Sequence, residues 1–259
     1  MLKVDMSDIT FSIVTVCKNP GASLWVTQES LQRQTYGNFE WVVIDGVSTD
    51  GTLEQLKLHP GVTTLVSEPD AGIYDAMNKG VRRAKGDFVF FLNAGDTFFD
   101  CTVLEQVAAM LALHPSDVLY GDAWIVEGEE KTFLRKHDRV DKIYLVTATI
   151  THQAVFAHRD LFHVVGEFDT RFKLKADHDW IVRCWNAGKT FRYLPIAMVR
   201  YPNDGYSKLN RKKYIDAERK LFYQKNFSRS GLLLFRLAYK LKLVNAEKGW
   251  LRSWLSKVI

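Results

Sequence analysis

The chain has 259 residues and is 47% hydrophobic and 13% aromatic, which suits one large globular domain or a domain with a small appendage and excludes a disordered or fibrous protein. The formal net charge of +5 is uneven: from Gly205 onward 14 Lys/Arg face 3 Asp/Glu, which leaves the first 204 residues at −6 and only the tail drawn to polyanions. Three scattered cysteines without a CxxC exclude a disulfide framework or zinc site and favour a reducing compartment, and with neither a signal sequence nor a membrane-spanning run expected, the chain reads as soluble.

In chain order, "FSIVTV" (11–16), "FEWVVID" (39–45), "VTTLVS" (62–67) and "DFVFFLN" (87–93) are β-branched and aromatic runs of strand length. Helical segments near 23–34, 52–58 and 72–85 separate them, an alternation that predicts a parallel sheet. In the third helix Ile73, Ala76, Met77, Gly80, Val81 and Ala84 share one face, and Asp75, Asn78, Lys79 and Arg82 share the other. Asp70 or Gly72 can start this helix and Gly86 can stop it. Further on, "DVLYGDAWIVEG" and "EKTFLRKHD" read as a hairpin about Gly128, and "THQAVFAHRDLF" as a strand running into a short helix. "KADHDWIVRCWNAG" is a helix closed by Gly188, and "TFRYLPIAMVRYP" a further strand. The expected organisation is an α/β domain over residues 1–204 and a basic, amphipathic helical extension over 205–259.

Ligands of parallel sheets bind beyond the carboxyl ends of the strands. Three such ends carry polar residues: Lys18-Asn19, Asp45, and Asn93 with Asp96. Asp70, Asp75 and Asn78 near the start of the third helix fall close to the same edge, and Thr15 ends the first strand, where it either lines a pocket or only fills the sheet. Asp96 follows Gly95, which lets a ligand come close to the backbone. As a lone carboxylate, Asp96 could equally cap the turn that follows.

Taken together, "SIVTVCKN", "SLQRQTYGNFEWVVIDGVSTDGT", "SEPDAGIYDAMNKGVRRAKGDFVFFLNAGD" and "KADHDWIVRCWNAG" resemble, in order, the family 2 glycosyltransferases of the GT-A fold. The likeness is to bacterial enzymes of exopolysaccharide and O-antigen synthesis and spans about residues 11–200. It implies a GT-A fold: a mostly parallel nucleotide-binding sheet flanked by helices, here with the helical C-terminal extension. It also implies an inverting transfer of a hexose from a nucleotide sugar, expected to be UDP-linked, to a lipid-linked saccharide.

The resemblance assigns roles residue by residue. Asp96 stands where the family has the last acid of its DxD cluster, so it is the expected Mn²⁺ or Mg²⁺ ligand, with Asn93 beside it. Asp45 matches the first acid of the family's "DDGSTDGT" segment and Gly46 replaces the second, while Asp50-Gly51 reads as a turn and helix cap. Asp70, Asp75, Asn78 and Thr15 join the nucleotide-sugar set. Asp177 aligns with the catalytic base, which takes the acceptor proton, and Asp179 with a helix-start or orienting carboxylate. His152 and Gln153 match a segment near the acceptor cleft, and Trp180 and Trp124 could stack on sugar rings or belong to the core.

The C-terminal run "LLLFRLAYKLKL" and the wheel of "KGWLRSWLSKVI" suit a peripheral membrane contact through residues 231–259, or a helix packed on the domain. No nucleic-acid module accompanies the tail. The expected location is the inner face of the cytoplasmic membrane. A non-catalytic scaffold subunit is the competing reading.

Overall fold

The four apolar runs become the parallel half of one sheet. In the computed structural model, which describes residues 5–128, 131–138, 140–203 and 206–240, they are β1 (Phe11–Cys17), β2 (Phe39–Asp45), β3 (Thr64–Ser67) and β4 (Phe88–Phe91). Phe11 is in register with Phe39 on one side and Phe88 on the other, so the three strands advance together toward Cys17, Asp45 and Phe91. The crossovers are α1 (Ser23–Gln32), α2 (Thr52–Leu58) and α3 (Ile73–Arg83). Gly80 lets α3 lie directly on β1, because a Cβ there would stand 2.3 Å from a methyl of Val14.

The second half mixes both strand directions. After β5 (Thr97–Phe98) and α4 (Val103–Leu113) come β6 (Val118–Glu127) and β7 (Lys131–Arg135), the hairpin about Gly128. Then α5 (Lys142–Thr147) leads to β8 (Val155–His158) and α6 (Leu161–Val164). They are followed by α7 (Ala176–Asn186), β9 (Phe191–Pro202), α8 (Tyr206–Asn226) and α9 (Arg229–Lys240). β8 pairs antiparallel with β4, and the sheet continues in the order β3-β2-β1-β4-β8-β6-β9-β5, with β7 on the outer half of β6. The sheet is therefore mixed: parallel from β3 to β4, antiparallel where β8 joins β4 and β6, parallel again between β6 and β9, and antiparallel at β5 and β7.

Two apolar layers fill its faces. One gathers Met77 and Val81 of α3, Trp180 and Ile181 of α7, and Phe222 and Phe235 from α8 and α9. The other gathers Leu24 and Leu31 of α1, Leu56 of α2, and Val103 and Val107 of α4. The described part of the basic extension is thus packed on the body through its aromatic residues. The wheel read from residues 248–259 lies outside the described residues.

Candidate active site

The turn after β4 is built around one hydroxyl. Thr27 of α1 donates to the carbonyls of Asn93 (3.2 Å) and Asp96 (2.8 Å) and accepts the Gly95 N–H (2.9 Å). Gly95 has φ +96°, a conformation L side chains rarely adopt, so the residue before Asp96 must be glycine for the turn to close. The turn buries the Asp96 side chain at the edge of a cleft of about 600 Å³. Asp96 Oδ2 and Asn93 Oδ1 have no hydrogen-bond partner there. Burial pushes the Asp96 carboxyl up to about 7, against the opposing pull of the His152 charge, the Asn93 backbone and the Gln153 side chain.

Asp177 lies in the first turn of α7 and lines the same cleft. Its Oδ1 accepts the Tyr74 hydroxyl (3.0 Å) and its Oδ2 lies 3.3 Å from His152 Nδ1. His152 Nε2 in turn lies 3.5 Å from Asn93 Nδ2. With the Asn93 amide donating to Nε2, the imidazole proton is on Nδ1 and points at Asp177. Burial raises the Asp177 carboxyl, but the hydrogen bond and electrostatic pull of His152, with the His178 backbone, hold it below the usual carboxylate range. Burial and the neighbouring Asp177 charge push the Tyr74 hydroxyl far up, so it stays a donor. The segment entering α7 is clamped from outside: Glu218 of α8 accepts the backbone N–H groups of Lys173 (2.6 Å) and Leu174 (3.0 Å).

The fold therefore brings Asn93, Asp96, His152, Gln153 and Asp177 to one cleft, where Lys18, Arg135, Tyr201 and Arg211 join them. Arg135 comes from β7 and Arg211 from α8; neither was singled out from the sequence, because a hairpin arginine and one among many tail cations carry no local signal. Thr27 and Tyr74 were missed for the same reason: their role depends on elements distant in the chain.

Asp45 lies behind the cleft wall, fully buried, accepting the Ser67 hydroxyl (2.6 Å) and the Ser48 N–H (3.1 Å). Asp70 sits over Gly46, where a Cβ would stand 2.9 Å from its Oδ2. Lys79 draws both Asp70 (2.8 Å) and Asp75 (3.4 Å) into ion pairs beside this wall. The loops after β1 and β2 are stitched together, Asn19 receiving Thr49 N–H at 2.7 Å, and Asn19 and Val47 hold positive φ there. Asp50 is a turn residue that accepts from Gly21 and Thr52.

Five more expected site residues face elsewhere. Thr15 is buried in the sheet, donating to Leu92 O and accepting from the Trp41 indole. Asn78, placed on a polar helix face by its spacing, is buried because the chain at Phe168 crosses that face; its amide holds both the N–H and the carbonyl of Phe168. Trp180 is a core residue, stacked on Phe162 at 4.5 Å and bonded to Gly166 O. Asp179 is fully buried on the far side of α7, held by Arg183 (2.9 Å), Lys225 (2.8 Å) and Asn226 (2.8 Å). Trp124 packs against Phe99, outside the cleft lining.

Comparison with known proteins decides the family. The model of glycosyl transferase family 2 matches residues 12–170. The chain belongs to that family. This glycosyltransferase is 36% identical over 201 residues to a PGL/p-HBAD biosynthesis glycosyltransferase of Mycobacterium tuberculosis, covering 75% of this chain and 77% of the relative. It is 24% identical over 216 residues to the amylovoran biosynthesis glycosyltransferase AmsB of Erwinia amylovora, covering 74% and 68%.

Among solved structures, its fold is similar to S. aureus TarS residues 1–349 in complex with UDP-GlcNAc (TM-score 0.62, 20% identity, 76% of this chain and 59% of that one). It is also similar to the mannosyltransferase PcManGT of Pyrobaculum calidifontis in complex with GDP-Man and Mn²⁺ (TM-score 0.61, 20% identity, 78% and 60%). The GT-A architecture expected from the motifs is thus the architecture of this glycosyltransferase.

Proposed function

We propose that this glycosyltransferase transfers a hexose from a UDP-sugar, with inversion and with a divalent metal ion, to a hydroxyl of a lipid-linked saccharide in cell-surface polysaccharide synthesis. The observation that carries this reading is the facing pair in one cleft: a buried Asp96 with an unpartnered oxygen, and an ionised Asp177 held at both oxygens.

The donor set fits Mn²⁺ or Mg²⁺, which take carboxylate and amide oxygens, and the two orphaned oxygens at this turn are of those types. Among the described residues no group of three His, Cys, Asp or Glu could hold an ion by itself. Asp96 and Asn93 would therefore hold the ion together with oxygens of the nucleotide diphosphate. The bound ion would supply Lewis-acid neutralisation of the departing diphosphate. Lys18, Arg135 and Arg211 add positive charge along the same cleft.

Asp177 takes the proton of the acceptor hydroxyl as that oxygen bonds to the anomeric carbon. The carbon–oxygen bond to the diphosphate breaks with its electron pair leaving on phosphate, which inverts the centre. The His152 and Tyr74 contacts keep the carboxylate oriented and charged at neutral pH. The lipid-linked acceptor and a location at the inner membrane face are supported by the chemistry of the C-terminal helices, and the biosynthetic setting by the PGL/p-HBAD and amylovoran biosynthesis named for the relatives.

A thermal-shift titration with UDP, GDP, CDP and dTDP, each with and without Mn²⁺, tests the donor class. At about a hundred times the dissociation constant a ligand stabilises by ~2.7 kcal/mol, several degrees for a chain of this size. UDP with Mn²⁺ is expected to shift the midpoint, Mn²⁺ alone to shift it little, and Asp96→Ala to remove the metal-dependent part. A shift with no nucleotide would return the chain to the scaffold reading.

A further inference from the structure

A second cavity of about 560 Å³ opens between α8 and α9, on the part of the chain that the transfer chemistry does not use. Arg219 and Lys220 of α8 and Arg229 and Arg236 of α9 line it, against one acid, Asp216, which pairs loosely with Arg219 at 3.6 Å. Tyr223 and Phe227, with ring centroids 6.2 Å apart, give it an apolar floor. Four cations facing one carboxylate around an aromatic floor leave a surplus of positive charge that suits a phosphate group.

The order of side chains around α9 says what the phosphate is attached to. At 100° per residue the wheel runs from Phe235 through Leu232, Arg236 and Arg229 to Leu233 and Leu237. Phe235 is buried in the body, whereas Leu233 and Leu237 are 69% and 54% exposed. Moving outward, a core anchor gives way to the cations and then to bare leucines. A soluble anion has no use for the leucines. A lipid seats its phosphate on the arginines while the leucines enter the acyl boundary, the arrangement of an interfacial helix. No helix among the described residues is long and apolar enough to cross a membrane, so the contact is made from the surface.

We propose that the α8–α9 groove binds the phosphate headgroup of an anionic membrane lipid. The groove deepens the lipid-linked-acceptor reading and rests on it for the choice of a lipid. It also sets the orientation of the enzyme: α8 carries the groove at one end, and through Arg211 at the other it reaches the catalytic cleft. Glu218, on the same helix beside the groove residues Arg219 and Lys220, clamps the segment that leads into Asp177. A membrane that holds the groove thus presents the cleft at a fixed height above the bilayer, where a saccharide on a lipid carrier would enter.

Flotation of the full chain with vesicles tests the proposal. Binding is expected with vesicles containing phosphatidylglycerol and not with pure phosphatidylcholine. Arg229→Gln/Arg236→Gln should weaken it by roughly thirtyfold, from two charges near the surface. Leu233→Ser/Leu237→Ser should weaken it as well, at unchanged net charge. Lys212→Gln/Lys213→Gln removes two cations of α8 outside the groove and should change little. Equal losses in the arginine and lysine pairs, or no loss in the leucine pair, would overturn the groove as the site. Glycerol 1-phosphate binding as tightly as vesicles would reassign it to a soluble anion and also overturn the proposal. The nucleotide-induced thermal shift of the same variants should match the native protein, so failure of the groove is distinguishable from failure of the transferase reading.

Discussion

Asp177→Asn is expected to lower sugar transfer by about 10²–10⁴-fold while nucleotide affinity and thermal stability stay close to native. The amide keeps its oxygen on the Tyr74 hydroxyl and turns its N–H₂ to His152 Nδ1; the ring then carries its proton on Nε2, and the Asn93 amide turns its otherwise unpartnered oxygen to receive it. What is lost is the charge and the capacity to take a proton. The neighbour two positions on behaves in the opposite way. Asp179→Ala removes the buried carboxylate that Arg183, Lys225 and Asn226 share between α7 and α8, leaving Lys225 its pair with Asp169 and Arg183 its carbonyl partners, and should cost about 3 kcal/mol, on the order of 10 °C in midpoint. Its residual folded fraction should keep native KM for the donor. Steady-state kinetics and melting curves on both variants check the pair. A fully active Asp177→Asn would remove this carboxylate as the base, and His152, the other titratable group at that end of the cleft, would become the candidate.

The separation of these two acids was legible in the sequence, because residues two apart on a helix point nearly opposite ways. Which of the two faced the cleft rested on the family resemblance, and their roles follow from what α3 and α8 bring to each side: Tyr74 to Asp177, Lys225 to Asp179. The parallel half of the sheet was legible for a similar reason. Each of its strands is an apolar run bounded by a helix of matching length, so local pattern and global fold agree. The mixed half was visible as elements and not as an arrangement, since the pairing of β4 with β8 joins Phe88 to His158 across seventy residues. Asn78 shows the limit at one position. Polar and at polar spacing, it reads as solvated, yet its amide replaces water for the backbone of Phe168. No window around residue 78 contains the segment that buries it. Arg135 and Arg211 are the same case on the cleft side.

Asp96 should make the metal-free protein less stable as the pH rises. A buried carboxyl whose folded pKa is near 7 binds its proton more tightly in the folded state than in the unfolded one, where it titrates near 3.8. Its contribution is fully present below about pH 4 and is lost as the pH rises toward 7, by on the order of 2–4 kcal/mol. Asp96→Asn keeps the shape and carries no charge to bury. In the absence of metal, the variant should therefore melt roughly 5–10 °C above the native protein at pH 8 and close to it at pH 4. Adding Mn²⁺ with UDP should reverse the order at pH 8: the native protein gains stability as the ion takes the place of the proton, and the amide gains little. Melting curves at the two pH values, with and without the ligands, give four differences that only a buried ligand-seeking carboxylate combines. A turn cap would show neither the pH-dependent gain of the amide nor the dependence on metal, because a cap carboxylate is stabilised by its backbone donors and loses them on substitution. On the proposed function, the burial that makes Asp96 expensive to the empty protein would be the property that draws in a cation with a diphosphate.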